Sequence, residues 1–481
     1  MATSLIDNRA RSALGRPERV IPALLYGIGV TAASYAVASS SALVLASTTL
    51  ISAALFVAVW RMQFQARLSY ADPGIFFTFV ICLYTAIPLL AFEYYDYNFG
   101  AEGDNRLNHI VLDEKLISDV WLCANLAIAG FGAAYLLIRQ PRMPQLPALR
   151  QGVLSALWIG LALSTAVMIL TYLGRGGGSG TYGDEYLFVR GLPTFVIQLL
   201  NILSTMFHVC AFGLFAAYLT RGRTSIAVAL LLVSLLFFLF VSDARANLVV
   251  LTGGFLVARD HFVKRFSPPV LIAGAVFGIM LFLLLGLIRE GAFAISDAAG
   301  RSEFMAVFVT ALDMQQLYIT GSTLDMNVNL LVSDLFRLVP QQLLTFEKVD
   351  PAGWYVVTFY GSYAEAGGGL AFGMMAESVL GGGGLTALFR GLALGALVAL
   401  ALNLLARRHS IWRVIIYIWL FISLYQCFRD TTFTLMGRFV FQFGPALLVV
   451  FLLSHLLSAR VSDAGSILRV RRTDGAAAGP L

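Results

Sequence analysis

Residues 224–241 read TSIAVALLLVSLLFFLFV, eighteen consecutive positions without a charged side chain. A helix rises about 1.5 Å per residue, so this run reaches about 27 Å, close to the hydrocarbon thickness of a bilayer. Arg221 and Arg223 stand just before it, and Asp243 and Arg245 just after it. The run reads as a membrane-spanning helix, and the chain on either side repeats the pattern. Similar apolar runs occupy 21–39, 41–60, 73–92, 116–138, 152–173, 193–219, 246–258, 269–288, 385–406, 411–428 and 439–458. The run at 246–258 is short for a span and calls for a tilted or broken arrangement.

Composition supports the same class. The 481 residues are 59% apolar and 12% charged, with a mean hydropathy of +0.80. A soluble domain carries about twice that charge fraction. This excludes a water-soluble globular enzyme, a secreted disulfide scaffold, a disordered chain and a coiled coil. The expected fold is all-α: a polytopic integral membrane protein of about 12 transmembrane helices. Cys82, Cys123, Cys210 and Cys427 all fall in apolar runs without metal-type spacing and read as core or lipid-facing residues.

Loop charges set the orientation, because lysine and arginine collect on the cytoplasmic side. With the N-terminus inside, the inner segments hold 21 of the 33 basic residues against six of the 27 acidic ones. The expected organisation is a cytoplasmic tail over 1–20, nine spans over 21–288, a large outer loop over 289–384, three spans over 385–458 and a basic cytoplasmic tail over 459–481. The loop is far longer than most connections and contains helical patches, so it carries structure or function of its own. The net charge of +6 follows largely from this topology and does not call for nucleic acid.

All but three of the basic residues are arginine, the exceptions being Lys115, Lys264 and Lys348. Coding bias accounts for that as readily as ligand chemistry does. The informative arginines are those on the outer side, against the sorting rule: Arg190, Arg245, Arg289, Arg429 and Arg438. Taken singly, each reads equally as an interfacial anchor. Five on one face of the membrane suit a diphosphate, which planar guanidinium groups hold bidentately. Asp243, Glu290 and Asp430 lie within two residues of an arginine and read as ion-pair partners. Glu377 differs, standing in the apolar stretch FGMMAESVLG with no basic residue within a turn. It is either a packing carboxylate or a general base.

Weaker signals are neutral. GRGGGSG at 174–180 lacks the Gly-Lys-Ser/Thr ending of a phosphate loop and reads as a flexible turn. No two of the five histidines have metal-ligand spacing. Gly391 and Gly395 form a G-x-x-x-G in the tenth span, a motif of close helix packing that also arises by chance. Tyr182, Tyr186, Trp354, Tyr355, Tyr360 and Tyr363 fall on the outer side, as sugar-stacking or interfacial aromatics.

The ordered set of motifs from about 174 to 458 resembles the Wzy-type oligosaccharide repeat-unit polymerases. A short apolar hairpin bears an outer arginine, here Asp243-Ala244-Arg245-Ala246-Asn247. Arg289 then ends a span and opens the large loop. That loop closes in a glycine-rich apolar segment with an acidic residue, here Gly369 to Gly384 around Glu377. Last comes an Arg-acid…Arg element, here Arg429-Asp430 and Arg438, and Arg190 fits an arginine found before the sixth span. Where the family often continues with asparagine-phenylalanine-glycine after the acid, this chain has Ser378-Val379-Leu380-Gly381.

The resemblance implies a glycosyltransferase of the bacterial inner membrane, with GT-C-like architecture and its active site on the periplasmic face. It implies transfer of a growing glycan from undecaprenyl diphosphate to an incoming lipid-linked unit, for O-antigen or exopolysaccharide synthesis. No cofactor, nucleotide or metal is expected. A chain-length regulator and a flippase are expected partners. The implied roles are diphosphate binding by Arg190, Arg245, Arg289, Arg429 and Arg438, with Arg289 also in the catalytic set, and proton abstraction by Glu377 or else Asp430. Rival readings are an O-antigen ligase and a flippase or solute transporter. Such ligases usually depend on a loop histidine, and 289–384 contains none. Against a transporter stands the lack of an internal repeat.

Overall fold

The sequence Asp72-Pro73-Gly74 shows how a span begins in this protein. Pro73, whose φ suits the first helical position, opens the helix. The Asp72 carboxylate accepts from the Gly74 N–H at 3.0 Å, capping the otherwise orphaned first turn. In the computed structural model, 17–65, 67–94, 114–146, 149, 151–174, 191–241, 245–274, 276, 278, 303–321, 330, 332–334, 336–339, 341–359, 361 and 371–458 are described. All regular structure among these residues is helical.

The helices are α1 (Pro17–Ala36), α2 (Ala42–Phe64), α3 (Pro73–Tyr94), α4 (Glu114–Ile138), α5 (Gln151–Gly174), α6 (Thr194–Thr220) and α7 (Thr224–Val241). There follow α8 (Arg245–Phe262), α9 (Glu303–Ile319), α10 (Pro351–Phe359), α11 (Gly373–Leu380), α12 (Gly384–Leu405), α13 (Ile411–Ser423) and α14 (Thr434–Ser458). Nine helical stretches among the described residues are long and apolar enough to cross a membrane. They correspond to nine of the twelve apolar runs in the sequence. Of the other three, 21–39 falls largely in α1 and 246–258 in the 18-residue α8, while most of 269–288 lies outside the described residues. The protein is thus a polytopic membrane protein, helical in all the regular structure of its described residues. Its surface is inverted relative to a soluble protein: Leu25, Val233, Phe240 and Leu456 are each at least 65% exposed. Serine and threonine are tolerated in the apolar helices because their hydroxyls bond the preceding turn, as in Ser34 to Val30 O, Thr78 to Gly74 O and Thr220 to Ala216 O.

The chain divides into two compact units. The first comprises 1–143, 266–404 and 423–436, and α4 is its central helix, with 78% of its span buried. Close approach explains that burial. Gly391 and Gly395 of α12 lie so near α4 that a Cβ at either would overlap the Ala127 or Phe131 carbonyl oxygen, and Gly130 of α4 meets Leu388 O in the same way. The G-x-x-x-G in α12 is therefore a true helix seam, not a chance match. Across to α2, the Thr49 hydroxyl donates to the Asn125 side-chain oxygen, and Asn125 Nδ2 donates to Leu45 O at 3.1 Å. At one end of the unit, Asp72 accepts from the Tyr135 hydroxyl at 2.5 Å and faces Arg139 at 3.8 Å. There Asn403 donates to Ile138 O at 2.8 Å, so α4 and α12 end together where α3 begins.

The second unit comprises 144–265, 405–422 and 437–481. Its central helix is α6, 72% buried against 28% for the peripheral α7. Glycines again set the spacing: Gly160 of α5 abuts Cys210 of α6, and Gly254 of α8 abuts the Phe212 ring. Residues 439–443 of α14 form a π-helical turn, and the Phe443 ring stacks on Trp419 of α13 at 4.6 Å.

A Gly391→Ala substitution tests the α4–α12 seam, because the added methyl must push two backbones apart. Overpacking of this kind costs about 1–3 kcal/mol. The expected result is a clearly lower thermal midpoint in detergent. By contrast, Gly29→Ala, where nothing lies within 4 Å of the new Cβ, leaves the midpoint unchanged or raised.

Candidate active site

Two glycine-rich turns hold α11 in place. Gly373 has φ +90° at its start, where a Cβ would strike Val307. At its end Gly382 and Gly383 have φ +115° and +83°, and the Gly383 N–H caps Ser378 O at 2.8 Å. Glycine alone adopts such angles without strain, which accounts for the glycines that bracket the sequence MMAESVL. All eight residues of α11 are buried, Glu377 with 0% exposure.

Glu377 is not isolated. Its Oε2 accepts from the Thr432 N–H at 2.8 Å and the Thr432 hydroxyl at 2.6 Å, and lies 3.1 Å from Arg390 Nη1. Arg390 Nη2 lies 2.7 Å from Asp334 Oδ2, and Arg337, partly exposed, reaches Asp334 Oδ1 at 3.7 Å. The result is an alternating chain of charge, Arg337–Asp334–Arg390–Glu377, running inward. Its inner end is asymmetric. Oε2 takes both Thr432 donors and pairs with Arg390, whereas Glu377 Oε1 is buried and has no hydrogen-bond partner among the described residues. Arg390 stands beside Gly391, and therefore at the level of Ala127, about halfway along α4. Burial pushes the Asp334 carboxyl up to about 6, with the Glu377 charge adding to the effect and Arg390 opposing it. A raised value means that proton binding favours the folded state. Asp334's contribution to stability is thus greatest below its ordinary 3.8 and is lost as pH rises through about 6.

Of the residues singled out in the sequence, Glu377, Arg429 and Asp430 come together. Asp430 O accepts from the Gly373 N–H at 2.8 Å, which ties the segment after α13 to the start of α11. The Asp430 carboxylate pairs with Arg429 at 2.8 Å, and both are half-buried. Arg438 lies in the second unit, immediately before the π-helical turn of α14, a local geometry that recurs at functional sites. Arg245 begins α8, but its side chain lies outside the description, as do Arg190, Arg289, Asp243 and Glu290 entirely. Tyr182, Tyr186, Tyr360 and Tyr363 lie outside it too. Tyr355 is a core residue: it is 1% exposed, and its hydroxyl donates to Asp313 at 2.8 Å.

No family model, characterised protein or solved structure matches the chain.

Arg390, Asp334 and Thr432 are the site residues that motif reasoning missed. For Arg390 the signal was present, since it is the single charged residue in the apolar α12 and charge at membrane depth usually marks function. Asp334 and Thr432 carried no such mark. The four cysteines are free thiols, with Cys123, Cys210 and Cys427 buried.

Proposed function

We propose that this chain is an inner-membrane polymerase that joins undecaprenyl-diphosphate-linked oligosaccharide units on the periplasmic face. The acceptor hydroxyl oxygen attacks the anomeric carbon of the donor glycan. The carbon–oxygen bond to the diphosphate breaks, and its electron pair leaves on the diphosphate. The hydroxyl proton passes to Glu377 Oε1. The observation that carries this reading is the buried Glu377: one oxygen accepting two hydrogen bonds from Thr432 and paired with Arg390, the other bare, in an apolar setting that raises the strength of each electrostatic contact.

Because Glu377 is enclosed, an acceptor reaches it only when α11 opens. The glycines at both ends of that helix are positions able to absorb such a change. By the resemblance, Arg190, Arg245, Arg289, Arg429 and Arg438 supply positive charge that stabilises a departing diphosphate. Asp430, paired with Arg429, is the second choice of base and better placed to orient that arginine. A chain-length regulator and a flippase are the partners this activity requires for a finished polymer. The absence of histidine from 289–384 weighs against a ligase.

The test uses purified protein in liposomes with lipid-linked repeat units extracted from the source cells, chelator present and no nucleotide. A ladder of product lengths is expected. Unchanged single units from folded protein would overturn the reading and direct attention to flux measurements.

A further inference from the structure

We propose that Arg390 and Asp334 act as a positioning relay for Glu377, fixing which of its two oxygens receives the proton. The inference rests on the reading above and adds two residues to it, neither of which touches substrate. The geometry carries it. Arg390 Nη1 and both donors of Thr432 converge on Oε2, at 3.1, 2.8 and 2.6 Å. With the two Thr432 donors directed at the lone pairs of Oε2 and the Arg390 charge beside it, the acceptor proton goes to Oε1. Arg390 could swing away from this arrangement were it not held at its other nitrogen by Asp334 at 2.7 Å. Asp334 is anchored in turn by Arg337 at 3.7 Å, where the chain of charges reaches its partly exposed end. A planar guanidinium suits this task because its two nitrogens face two carboxylates at a fixed angle; a lysine would offer one point charge.

The relay has a kinetic signature distinct from that of a substrate ligand. A residue that only orients the base lowers kcat and leaves KM alone, whereas an arginine that binds the diphosphate raises KM. The experiment measures both constants for the full-length protein in liposomes, with lipid-linked repeat units from the source cells as substrate. The variants are Glu377→Gln, Arg390→Lys, Arg390→Met and Asp334→Asn. Loss of a general base costs about 100-fold or more in kcat, the expected result for Glu377→Gln. Arg390→Met is expected to approach that loss with KM within about twofold of wild type, and Arg390→Lys to recover about tenfold over Arg390→Met. Where Arg390→Met fails to fold, Asp334→Asn decides, since it leaves the Arg390–Glu377 contact in place and only frees the far nitrogen. It is expected to lose about tenfold in kcat at unchanged KM.

A raised KM with normal kcat in an Arg390 variant makes Arg390 a diphosphate ligand and overturns the relay. So does full activity of Asp334→Asn beside a silent Glu377→Gln, or a lysine variant no better than methionine. Full activity of Glu377→Gln, or a folded wild-type protein that extends nothing, removes the base and the relay together.

Discussion

Replacing Arg390 with methionine is expected to destabilise the protein by about 3–5 kcal/mol, because removal of one member of a buried ion pair leaves the others uncompensated. Here two carboxylates would be left. Glu377 is fully buried and Asp334 nearly so, and among the described residues Arg390 is the cation that pairs with both. Methionine fills much of the volume, so the cost is electrostatic and not that of a cavity. The loss should be partly reversed by neutralising the stranded charges: the triple change Arg390→Met, Glu377→Gln, Asp334→Asn should be more stable than Arg390→Met alone. Denaturant or thermal unfolding in detergent reads the difference. A single variant within about 1 kcal/mol of wild type would mean that water reaches the cluster and screens it.

Glu377→Gln is expected to behave in the opposite way, folding nearly as well as wild type while losing about 10²–10⁴-fold in turnover. The amide oxygen of glutamine can replace Oε2 as acceptor for Thr432 and Arg390, and Arg390 keeps Asp334 as its counter-ion. What glutamine cannot do is take a proton where Oε1 now stands bare. The contrast between the two variants is informative in itself. Arg390→Met removes stability and activity together, whereas Glu377→Gln separates them. Single-turnover rates with lipid-linked units, alongside unfolding midpoints of the same preparations, supply the comparison. A Glu377→Gln variant at full rate leaves Asp430 as the remaining candidate for the base.

The sequence makes the membrane class plain, because an uncharged run such as 224–241 has few other uses and nine of the apolar runs reappear as helices of spanning length. Short or partly polar helices are harder to read. The run 246–258 belongs to α8, which carries Arg259, Asp260 and His261 in its last turn and so does not look like a span by composition. Glu377 was legible because a carboxylate among MMA and SVL has no local reason to be there. Its partners were not, since Thr432 stands 55 positions further along the chain and Asp334 lies in a loop of ordinary composition. Contacts of that range come from tertiary packing, and no periodicity reports them. Arg390 is the instructive intermediate. The G-x-x-x-G that follows it marks a tight seam with α4, so a long charged side chain at that point must find buried partners. Seen together, the seam and the charge point inward to a cluster, although neither names its members.

On the proposed mechanism, the chain breaks one glycan–diphosphate bond for each sugar linkage it makes. Undecaprenyl diphosphate released by the protein in liposomes, counted against new glycosidic linkages, tests it most directly. One lipid diphosphate per linkage, with both lost in Glu377→Gln, is the predicted result. Lipid-linked units that cross the bilayer intact, with neither lipid diphosphate released nor linkages formed, would contradict it.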